Sequence, residues 1–392
     1  MRIAHIIIAL EPGGAERMLQ RLVLAQKRGG AIQPVVVSLT GLGPIGAELR
    51  AGGVEVHALG LSGLRNSAAA LWRLKRLLER LHPDLVHCWM YHADLLGGIA
   101  ARLAGIRAII WSIRNTDLFH GQGLSRALKP VIALCARLSG VLPAAIVCVA
   151  ESARASHARL GYASDRMIVI PNGYAAPPPA DRAAARRLYD FPEDALVIGS
   201  VGRFNDYKDQ HLFVRAAGRI AEVLPDARFL MVGQGNQASN ALLTRWIAET
   251  GHQARFRLAG ETADVPAALA AMDLFCLHSK SEGFPNALAE AMLAGIPAVA
   301  TDVGDARRLG GETVDFVPPA NQEALAAALV ALARTPARDR AARASAARAR
   351  VTALFGLAAI ERLYADLYRR VLAGGNVSES LASDACDAIA RP

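Results

Sequence analysis

The sequence predicts two doubly wound α/β domains in series. Short apolar runs alternate with helical patterns over the first half of the chain, and the same alternation restarts near Leu196. Alternation at this spacing is typical of βαβ units around a parallel sheet. A proline stretch at 177–179 lies between the two halves and marks a linker. We therefore place an N-terminal domain at 1–173, a linker with a short helix at 174–195, and a C-terminal domain at 196–355.

The predicted elements follow the chain in order. In the N-terminal half the predicted strands are 3–10, 34–39, 54–61, 85–89, 108–113 and 144–149, with helices at 15–27, 67–81, 93–104 and 125–138. In the C-terminal half the predicted strands are 196–201, 228–232, 256–259, 274–278, 298–301 and 314–317, with helices at 210–223, 241–250, 265–272 and 286–294. Helices alone follow, including an amphipathic one at 358–372. Residues 376–392 lack periodicity, and we expect a disordered tail there.

The composition favours aliphatic cores and a reducing compartment. Hydrophobic residues make up 53% of the 392 residues, but aromatic residues only 5%, which suits buried parallel strands. The five cysteines form no C-x-x-C pair, and four lie in apolar runs. The first apolar run ends in a turn at 11–14, so it predicts a strand rather than a signal peptide. The run 131–149 contains Arg137, Gly140 and Pro143 and predicts a helix followed by a strand, not a membrane span.

The formal charge of +9 leaves two interpretations open. One is a solubilising, arginine-rich surface. The other is an anionic partner, which could be nucleic acid, a membrane surface or a phosphorylated substrate. Nucleic acid is the least favoured of the three, because the sequence has neither a zinc-finger spacing nor an aromatic-plus-basic RNA-binding pattern.

Two glycines follow the first predicted strand. Gly13 and Gly14 open the first helix. They let the backbone approach a ligand closely, and a helix N-terminus favours an anion. An ordinary strand-to-helix turn explains the pair equally well. The motif is not G-x-G-x-x-G, so it does not indicate a dinucleotide cofactor.

A pair of cations follows the first strand of the C-terminal half. The strand ends at Gly202, and Arg203 and Lys208 occupy the loop before the next helix. In doubly wound sheets, ligands bind at the carboxyl ends of strands. A guanidinium fork and an ammonium at this place can neutralise much of the charge of a diphosphate. Two solvated loop cations are the alternative, which the position at the strand end makes less favoured.

A second loop of this half carries two glutamates. The segment 279–290 follows a buried strand, with Glu282 in the loop and Glu290 inside the next helix. Pro285 suits the first turn of that helix, whose backbone N–H groups lack intrahelical partners. A carboxylate can accept hydrogen bonds from vicinal sugar hydroxyls. Helix capping is the alternative role for Glu282, and Glu290 needs a partner if it is buried.

Main-chain groups of two further loops are less specific candidates for ligand binding. Gly233 follows one strand, and Gly260 and Glu261 follow the next. Their backbone could bind the edge of a base, and loop geometry alone is an equally good explanation. Neither D-x-D nor H-E-x-x-H occurs, so we expect no metal site and no cofactor. A departing diphosphate would then depend on Arg203, Lys208 and helix N-termini.

Four side chains of the N-terminal half end or follow predicted strands. They are His87, His92, Arg114 and Asn115. Each is a candidate contact for an acceptor or a donor sugar. A single histidine in such a place is more often structural.

These segments resemble a family-4 retaining glycosyltransferase of the GT-B fold, of the bacterial polysaccharide and lipopolysaccharide type. The matching pieces are 13–16, 201–203 with Lys208, 281–290 and 295–304, and the resemblance covers about residues 1–375. The E-x7-E spacing of Glu282 and Glu290 is met. The resemblance implies two Rossmann-like domains facing across a cleft, with a final helix at 356–375 that crosses back to the N-terminal domain.

The resemblance also implies roles for the matched residues. Arg203 and Lys208 would hold the donor diphosphate, and Glu290 would bind the ribose hydroxyls. Glu282 would contact the transferred sugar. The backbone around this carboxylate would assist, through Phe284, Pro285, Asn286 and Ala287.

The N-terminal domain departs from the family pattern at one point. Gly14 matches the pattern and would let this domain close on the phosphate. Many members place a histidine after the fifth N-terminal strand, facing the donor sugar, where this sequence has Arg114. The departure bears on which sugar is transferred and on the role of this contact. It does not bear on the residues that would bind the diphosphate.

The implied reaction is transfer of a hexosyl-type sugar from a UDP- or GDP-linked donor to a saccharide or lipid-linked acceptor. Configuration would be retained, and the setting would be cell-surface polysaccharide or lipopolysaccharide synthesis. Two rival functions remain open. One is a sugar-nucleotide epimerase or phosphorylase on the same fold, and the other is a non-catalytic nucleotide-sugar sensor.

A basic stretch between Arg65 and Arg80 is relevant to where the protein lies in the cell. Its arginines and one lysine alternate with leucines and Trp72. A sheet-covering helix with a solvated outer face is the favoured interpretation. Docking on an anionic membrane is the alternative, and it would suit a lipid-linked acceptor. We expect a cytoplasmic protein that is either free or peripheral on the inner face of the plasma membrane.

The assignment depends most on the two cations. We expect Arg203 and Lys208 to face the interdomain gap and not to be neutralised by local carboxylates. These cations would take up the negative charge released when a sugar–phosphate bond breaks. If the two pointed away from the gap, or were neutralised by local carboxylates, the transferase assignment would fail with them.

Overall fold

The computed structural model describes residues 1–61, 67–116, 128–177, 180–262 and 264–375. The chain divides into two compact units. The first comprises Met1–Gly173 and the described residues from Phe355 onward, and the second comprises Tyr174–Leu354. The predicted tail at 376–392 and Arg65 of the basic stretch lie outside the described residues.

The first unit is built around a parallel sheet of seven strands. They are β1 (Arg2–Ile7), β2 (Gln33–Ser38), β3 (Glu55–Ala58), β4 (Leu85–Trp89), β5 (Ile109–Ile113), β6 (Ala145–Cys148) and β7 (Met167–Val169). Their order is β3-β2-β1-β4-β5-β6-β7. Strands β4 and β5 are buried along their whole length, as expected of continuous apolar runs in a covered parallel sheet.

Six helices connect these strands in the part of the chain that is described. They are α1 (Gly14–Gly29), α2 (Gly43–Ala51), α3 (Ser67–Leu81), α4 (Tyr91–Leu103), α5 (Leu128–Leu138) and α6 (Glu151–Arg159). Helix α1 ends at Gly29 and is capped by Gly30, whose φ of +71° is the left-handed conformation that glycine adopts readily. Helices α2 and α6 were not predicted, because each is only nine residues long and lacks a clear apolar stripe.

The second unit repeats the plan with six parallel strands. They are β8 (Leu196–Val201), β9 (Ala227–Val232), β10 (Phe256–Gly260), β11 (Leu274–Leu277), β12 (Ala298–Thr301) and β13 (Asp315–Val317), in the order β10-β9-β8-β11-β12-β13. The helices that follow Gly173 are α7 (Arg182–Leu188), α8 (Gln210–Val223), α9 (Ala241–Glu249), α10 (Val265–Ala270), α11 (Asn286–Ala294), α12 (Ala306–Gly310), α13 (Gln322–Arg334), α14 (Ala337–Phe355) and α15 (Leu357–Leu372). The predicted α/β class with two doubly wound sheets is confirmed.

The last helix, α15, belongs to the first unit and packs against α1. Its buried side chains include Ile360, Tyr364, Leu367, Tyr368 and Val371. This spacing of three or four residues places them on one face of the helix. The amphipathic pattern at 358–372 thus reflects burial in the core of the first unit, as the resemblance implied.

The strand order reverses once in each sheet. Strand β1 lies between β2 and β4, and strand β8 lies between β9 and β11. The connections that leave two such neighbouring strands diverge and open a crevice at their carboxyl ends, where doubly wound sheets bind ligands. In the second unit this crevice lies between the loops that follow Val201 and Leu277. Those loops carry Arg203, Lys208 and Glu282.

Candidate active site

Three strand-end loops of the second unit are tied together by Asn236. Its side chain is 1% exposed, and its Nδ2 donates to the carbonyl oxygens of Gly202 at 2.7 Å and Val232 at 3.1 Å. The main-chain carbonyl oxygen of Asn236 accepts from the N–H of Gly260 at 2.8 Å. One residue therefore fixes the ends of β8, β9 and β10. The sequence pattern did not single out Asn236, because its partners lie up to 34 residues away.

Gly233 lies so close to Gly202 that no side chain fits there. A Cβ at Gly233 would lie 2.3 Å from the carbonyl oxygen of Gly202, and φ at Gly233 is +124°. The N–H of Gly233 donates to the carbonyl oxygen of Gly260 at 2.6 Å. Gly233 and Gly260 thus shape the loops beside Arg203, and exposed Glu261 follows them. Binding of a base by these loops stays a prediction.

Arg203 is an exposed cation at the carboxyl end of β8. Its carbonyl oxygen accepts from Nε2 of Gln210, in the first turn of α8, at 2.8 Å. This bond anchors the main chain beneath the side chain. The guanidinium itself has no hydrogen bond or ion pair with any residue that the structure describes. It is therefore available to an anionic ligand.

Lys208 pairs with Glu282. Its Nζ lies 2.5 Å from Oε1 of Glu282, and the two side chains are 22% and 10% exposed. The loop after β11 is brought to Lys208 by the N–H of Lys280, which donates to the carbonyl oxygen of Tyr207 at 2.7 Å. The expectation that Lys208 is not neutralised by a local carboxylate is therefore wrong. Its partner is itself one of the predicted site residues.

Two buried polar residues precede Glu282 and hold this arrangement. His278 Nδ1 donates to the carbonyl oxygen of Lys208 at 2.5 Å, and burial lowers the pKa of His278 to about 4, so the ring is neutral. Ser279 Oγ donates to Oε1 of Glu282 at 2.6 Å. Ser279 opens the segment that the sequence singled out, but neither residue was assigned a role of its own. The available signal was two polar side chains directly after the buried strand β11.

The start of α11 is fixed by an aromatic contact within the second unit. Tyr174 and Phe284 are buried, and their rings stack with centroids 6.3 Å apart. The Tyr174 hydroxyl donates to Oδ1 of Asn286 at 2.5 Å. Pro285 stands at the N-cap, one position before the first turn where it was expected. The main chain of 284–287 is thereby held in place beside Glu282.

The second glutamate of the motif lies on α11. Glu290 and Ala287 are both partly exposed there. Glu282 lies in the preceding loop, as the sequence predicted, so the two carboxylates are carried by different elements. Contact of Glu290 with a ribose stays a prediction.

In the first unit, Gly13 and Gly14 form the entry to α1. Gly13 is the extended N-cap residue, with φ −161° and ψ 170°, and provides no side-chain cap. Gly14 is exposed at the first helical position. A Cβ at Gly13 would lie 2.2 Å from Oε2 of Glu16. The carboxylate of Glu16 therefore already places negative charge beside this helix N-terminus, where the helix dipole favours it.

His87 is a core residue and not a surface contact. It is 0% exposed, with Nδ1 2.9 Å from the hydroxyl of Tyr368 and Nε2 2.8 Å from Oγ of Ser112. Burial holds the pKa of His87 well below its usual value. Both ring nitrogens are occupied, so the candidate role in contacting a sugar is corrected to one of holding α15 on the sheet.

Arg114 is anchored inside the first unit. Its Nη1 donates to Oδ1 of Asn172 at 3.2 Å and to the carbonyl oxygen of Ile170 at 3.4 Å, and its Nη2 donates to the hydroxyl of Tyr364. Its Cζ lies 4.9 Å from the centroid of the Trp89 ring. These contacts join the ends of β5 and β7 to α15. They give Arg114 a structural role that the sequence did not reveal, and its contact with a sugar stays a prediction.

His92 and Asn115 remain the accessible candidates of the first unit. Both are partly exposed, and burial lowers the pKa of His92. Met90 precedes the helix of His92 with φ +71°. A non-glycine residue in that region stores strain of about 1–3 kcal/mol, which is found most often near functional sites. The strain lies at the carboxyl end of β4, beside the crevice of the first sheet.

The described part of the chain offers neither a metal-binding cluster nor a helix that could span a membrane. Within the described ranges, no group of three or more His, Cys, Asp or Glu side chains is placed to hold a metal ion. No helix in the same part of the chain combines the length and hydrophobicity needed to cross a bilayer.

Comparison with known proteins identifies the family. The model for glycosyl transferases group 1 matches residues 195–335, and the model for glycosyltransferase family 4 matches residues 12–175. The 2-deoxystreptamine glucosyltransferase of Streptomyces kanamyceticus is 30% identical over 261 residues, which cover 62% of this chain and 67% of that protein. The UDP-Gal:alpha-D-GlcNAc-diphosphoundecaprenol alpha-1,3-galactosyltransferase of Escherichia coli is 27% identical over 245 residues. That match covers 60% of this chain and 62% of the relative, which is less than two thirds of its length.

The fold also has solved counterparts. The structure of Anabaena HepE in complex with UDP-glucose superposes with a TM-score of 0.81 at 21% identity, and the match covers 94% of this chain and 99% of HepE. At that identity the likeness establishes the fold alone. The two family matches, together with the 30% identity to the Streptomyces kanamyceticus enzyme, show that this chain belongs to the family-4 type of glycosyltransferases, and its fold is GT-B.

Proposed function

We propose that this glycosyltransferase moves a hexosyl sugar from a UDP-linked donor to a saccharide or lipid-linked acceptor, with retention of configuration, in cell-surface polysaccharide or lipopolysaccharide assembly. The observation that carries the proposal is the crevice of the second sheet. There an exposed guanidinium, Arg203, and a fixed carboxylate, Glu282, lie on the two loops that flank the reversal of strand order. The first can bind a diphosphate and the second a sugar hydroxyl.

The proposed step needs no protein nucleophile. The bond between the anomeric carbon and the β-phosphate oxygen breaks, and a bond from the acceptor oxygen to the same face of that carbon forms. The acceptor proton passes to the departing phosphate oxygen. Arg203 stabilises the charge that develops on the diphosphate, and the N–H donors of Lys208 that Glu282 leaves free assist it. The removal of such a group typically costs 10²–10³ in turnover, or about 3–4 kcal/mol.

UDP is the proposed nucleotide because of the relatives. The Escherichia coli enzyme is named for a UDP-galactose donor, and HepE was solved with UDP-glucose. The alternative, GDP, is tested by the same assay. A panel of UDP- and GDP-linked sugars is incubated with the purified protein and acceptors of two kinds, GlcNAc-diphosphoundecaprenol and a soluble saccharide. Nucleotide release and the anomeric configuration of the product are measured by NMR.

The expected result is acceptor-dependent release of UDP and an α-linked product from an α-linked donor. Arg203→Ala should lower the rate about 10²–10³-fold. Arg219→Ala should leave it unchanged, because Arg219 is exposed on α8 more than two turns from the start of that helix. An inverted product would overturn the retention, and equal rates in both variants would overturn the role of Arg203.

The same assay separates the rival functions. An epimerase would convert one UDP-sugar into another without an acceptor, and a phosphorylase would require inorganic phosphate. A sensor would bind the donor without any turnover. We also propose that transfer is independent of divalent metal, since the exposed guanidinium of Arg203 supplies cationic charge at the site. A rate that EDTA abolishes and Mg²⁺ restores would contradict this.

Helix α3 is the proposed contact with an anionic membrane. Leu74, Leu77 and Leu78 are buried, which accounts for the sheet-covering face. On the outer face, Trp72 is 52% exposed, and the cationic groups of Lys75 and Arg76 lie 4.9 Å and 5.2 Å from its ring centroid. An exposed indole among cations suits the interface of an anionic bilayer. Such docking would place the protein on the inner face of the plasma membrane.

Vesicle co-sedimentation tests this contact. The protein should bind phosphatidylglycerol-containing vesicles in a salt-sensitive manner and should not bind neutral vesicles. Trp72→Ala with Arg76→Glu should abolish binding, whereas Arg28→Glu, on the exposed end of α1, should weaken it little. Equal loss in both variants would indicate that net charge alone causes the binding.

A further inference from the structure

The two oxygens of Glu282 have different surroundings. Oε1 receives both Lys208 Nζ, at 2.5 Å, and Ser279 Oγ, at 2.6 Å. Oε2 has no hydrogen-bond partner anywhere in the described part of the chain. A carboxylate has lone pairs on both oxygens, and two donors on one oxygen leave the other free to accept from a ligand.

Ser279 is itself rigidly placed. It is 1% exposed, and its carbonyl oxygen accepts from Oγ1 of Thr301, at the end of β12, at 2.7 Å. Thr301 is fully buried. Ser279 is therefore fixed in position relative to two neighbouring strands, β11 and β12, and so is its hydroxyl. A hydrogen bond from so rigid a donor restricts the rotamer of Glu282 more than a flexible lysine alone can.

The backbone of Glu282 is held as well. Its carbonyl oxygen lies against Gly304, where a Cβ would approach it to 2.1 Å. The N–H of Asp305 donates to the carbonyl oxygen of Gly283 at 3.1 Å. The main chain of Glu282 is thus fixed from the loop after β12, and its carboxylate is held by Lys208 and Ser279.

Lys208 keeps capacity for a second ligand. Its ammonium has three N–H donors, and the contact with Glu282 uses one. At 22% exposure the group can still reach an anion. The same lysine can therefore bridge Glu282 to a diphosphate, which would couple the sugar contact to the phosphate contact.

We propose that Ser279 is a positioning residue that holds Glu282 by Oε1, so that Oε2 receives a hydroxyl of the transferred sugar. The inference rests on the proposed function, because it assumes a nucleotide-sugar donor. Ser279 does not touch the donor. Its effect is confined to the sugar, and the nucleotide diphosphate is recognised without it.

The test compares the affinities for UDP and for the UDP-sugar that the wild-type protein binds most tightly, both measured by calorimetry. The ratio of the two dissociation constants reports the sugar contact alone. Ser279→Ala should reduce the contribution of the sugar about tenfold, in line with the loss of one well-placed charge-assisted hydrogen bond. The dissociation constant for UDP should change less than threefold.

Two variants separate positioning from packing. Ser279→Cys keeps the volume but has a weak donor, so it should behave as Ser279→Ala does. Ser279→Thr keeps the hydroxyl and should restore the sugar contribution. Ser156→Ala is the matched control, because it removes another buried hydroxyl, whose hydrogen bond goes to the carbonyl oxygen of Ala153 at 3.0 Å. It should change neither affinity.

The outcomes are distinct. If the wild-type protein binds none of the nucleotide sugars, the proposed function fails. If it binds one and Ser279→Ala keeps the full sugar contribution, the function stands and the positioning role is overturned. An equal loss of UDP and UDP-sugar affinity in Ser279→Ala would also overturn it, since that result indicates a general disturbance of the loop.

Discussion

Replacement of Gly304 by alanine should disable the site without unfolding the protein. Gly304 has φ +54°, and its Cβ would lie 2.1 Å from the carbonyl oxygen of Glu282 and 2.8 Å from that of Gly283. Real Cβ atoms essentially never lie within 3.0 Å of another such heavy atom. The loop that carries Glu282 must therefore shift by about 1 Å. A misplacement of about that size can cost on the order of 10²-fold in rate.

The stability cost of this change can be separated from the effect on the site. An alanine in the left-handed region costs about 1–2 kcal/mol wherever it occurs. Gly251→Ala is the matched control, because Gly251 has φ +73° and open space around the added Cβ. Both variants should lose a few degrees of Tm, at roughly 2–4 °C per kcal/mol. Only Gly304→Ala should lose turnover.

The assay is kcat/KM for the best UDP-sugar, measured beside thermal unfolding for the two variants. We expect about a 10²-fold loss in Gly304→Ala and less than a twofold change in Gly251→Ala. If Gly304→Ala retains the turnover of Gly251→Ala, the packing of Gly304 against Glu282 has no bearing on catalysis. The reasoning would then be refuted.

Three further predictions concern pairing, pH and the loop junction. Lys208→Ala and Glu282→Ala, combined in a double-mutant cycle of urea unfolding, should show a coupling of about 1–3 kcal/mol because the pair is largely buried. Burial lowers the pKa of both His5 and His157 to about 4, so the unfolded chain binds protons that the native state does not. Stability should be complete above pH 6.5 and should fall between pH 6.5 and 4 by about 3 kcal/mol for each histidine, as followed by urea unfolding. Asn236→Ala should cost about 1–3 kcal/mol of stability and should weaken UDP binding, as followed by calorimetry, because the loops that it ties would loosen.

Each of these three predictions would be contradicted by a specific result. Additive effects of Lys208→Ala and Glu282→Ala would mean that their contact contributes nothing in solution. Stability that stays flat from pH 7 to pH 4 would show that His5 and His157 titrate normally in the native state. Asn236→Ala with unchanged UDP affinity would mean that the loop after β8 holds its shape without the amide.

Short-range patterns were sufficient to predict the fold and to place candidate site residues at the ends of strands. The alternation of apolar runs and helices predicted two parallel sheets, since each pattern depends on residues a few positions apart. The same reasoning placed Arg203 and Glu282 directly after buried strands, where the structure has them. Helices α2 and α6 were missed, because a helix of nine residues contains too few turns for a clear period.

The sequence patterns did not predict contacts between residues that lie far apart in the chain. Lys208 and Glu282 are 74 residues apart, and their contact depends on the neighbouring places of β8 and β11 in the sheet. His87 looked accessible because it precedes a strand end, yet Tyr368, 281 residues later in the chain, covers it. Arg114 is likewise held by Tyr364 of α15. In each case the deciding partner comes from a distant segment whose position only the fold reveals.

Among the described cations of this site, Arg203 is the one that no described carboxylate neutralises. Titration of the protein with UDP tests the role of Arg203 most directly. Calorimetry on the wild-type protein, Arg203→Ala and Arg219→Ala should show UDP binding about 10–100-fold weaker in Arg203→Ala and unchanged in Arg219→Ala. The loss should shrink as salt is raised. Wild-type affinity in Arg203→Ala would contradict the account, because the crevice of the second sheet would then not be the place where the diphosphate binds.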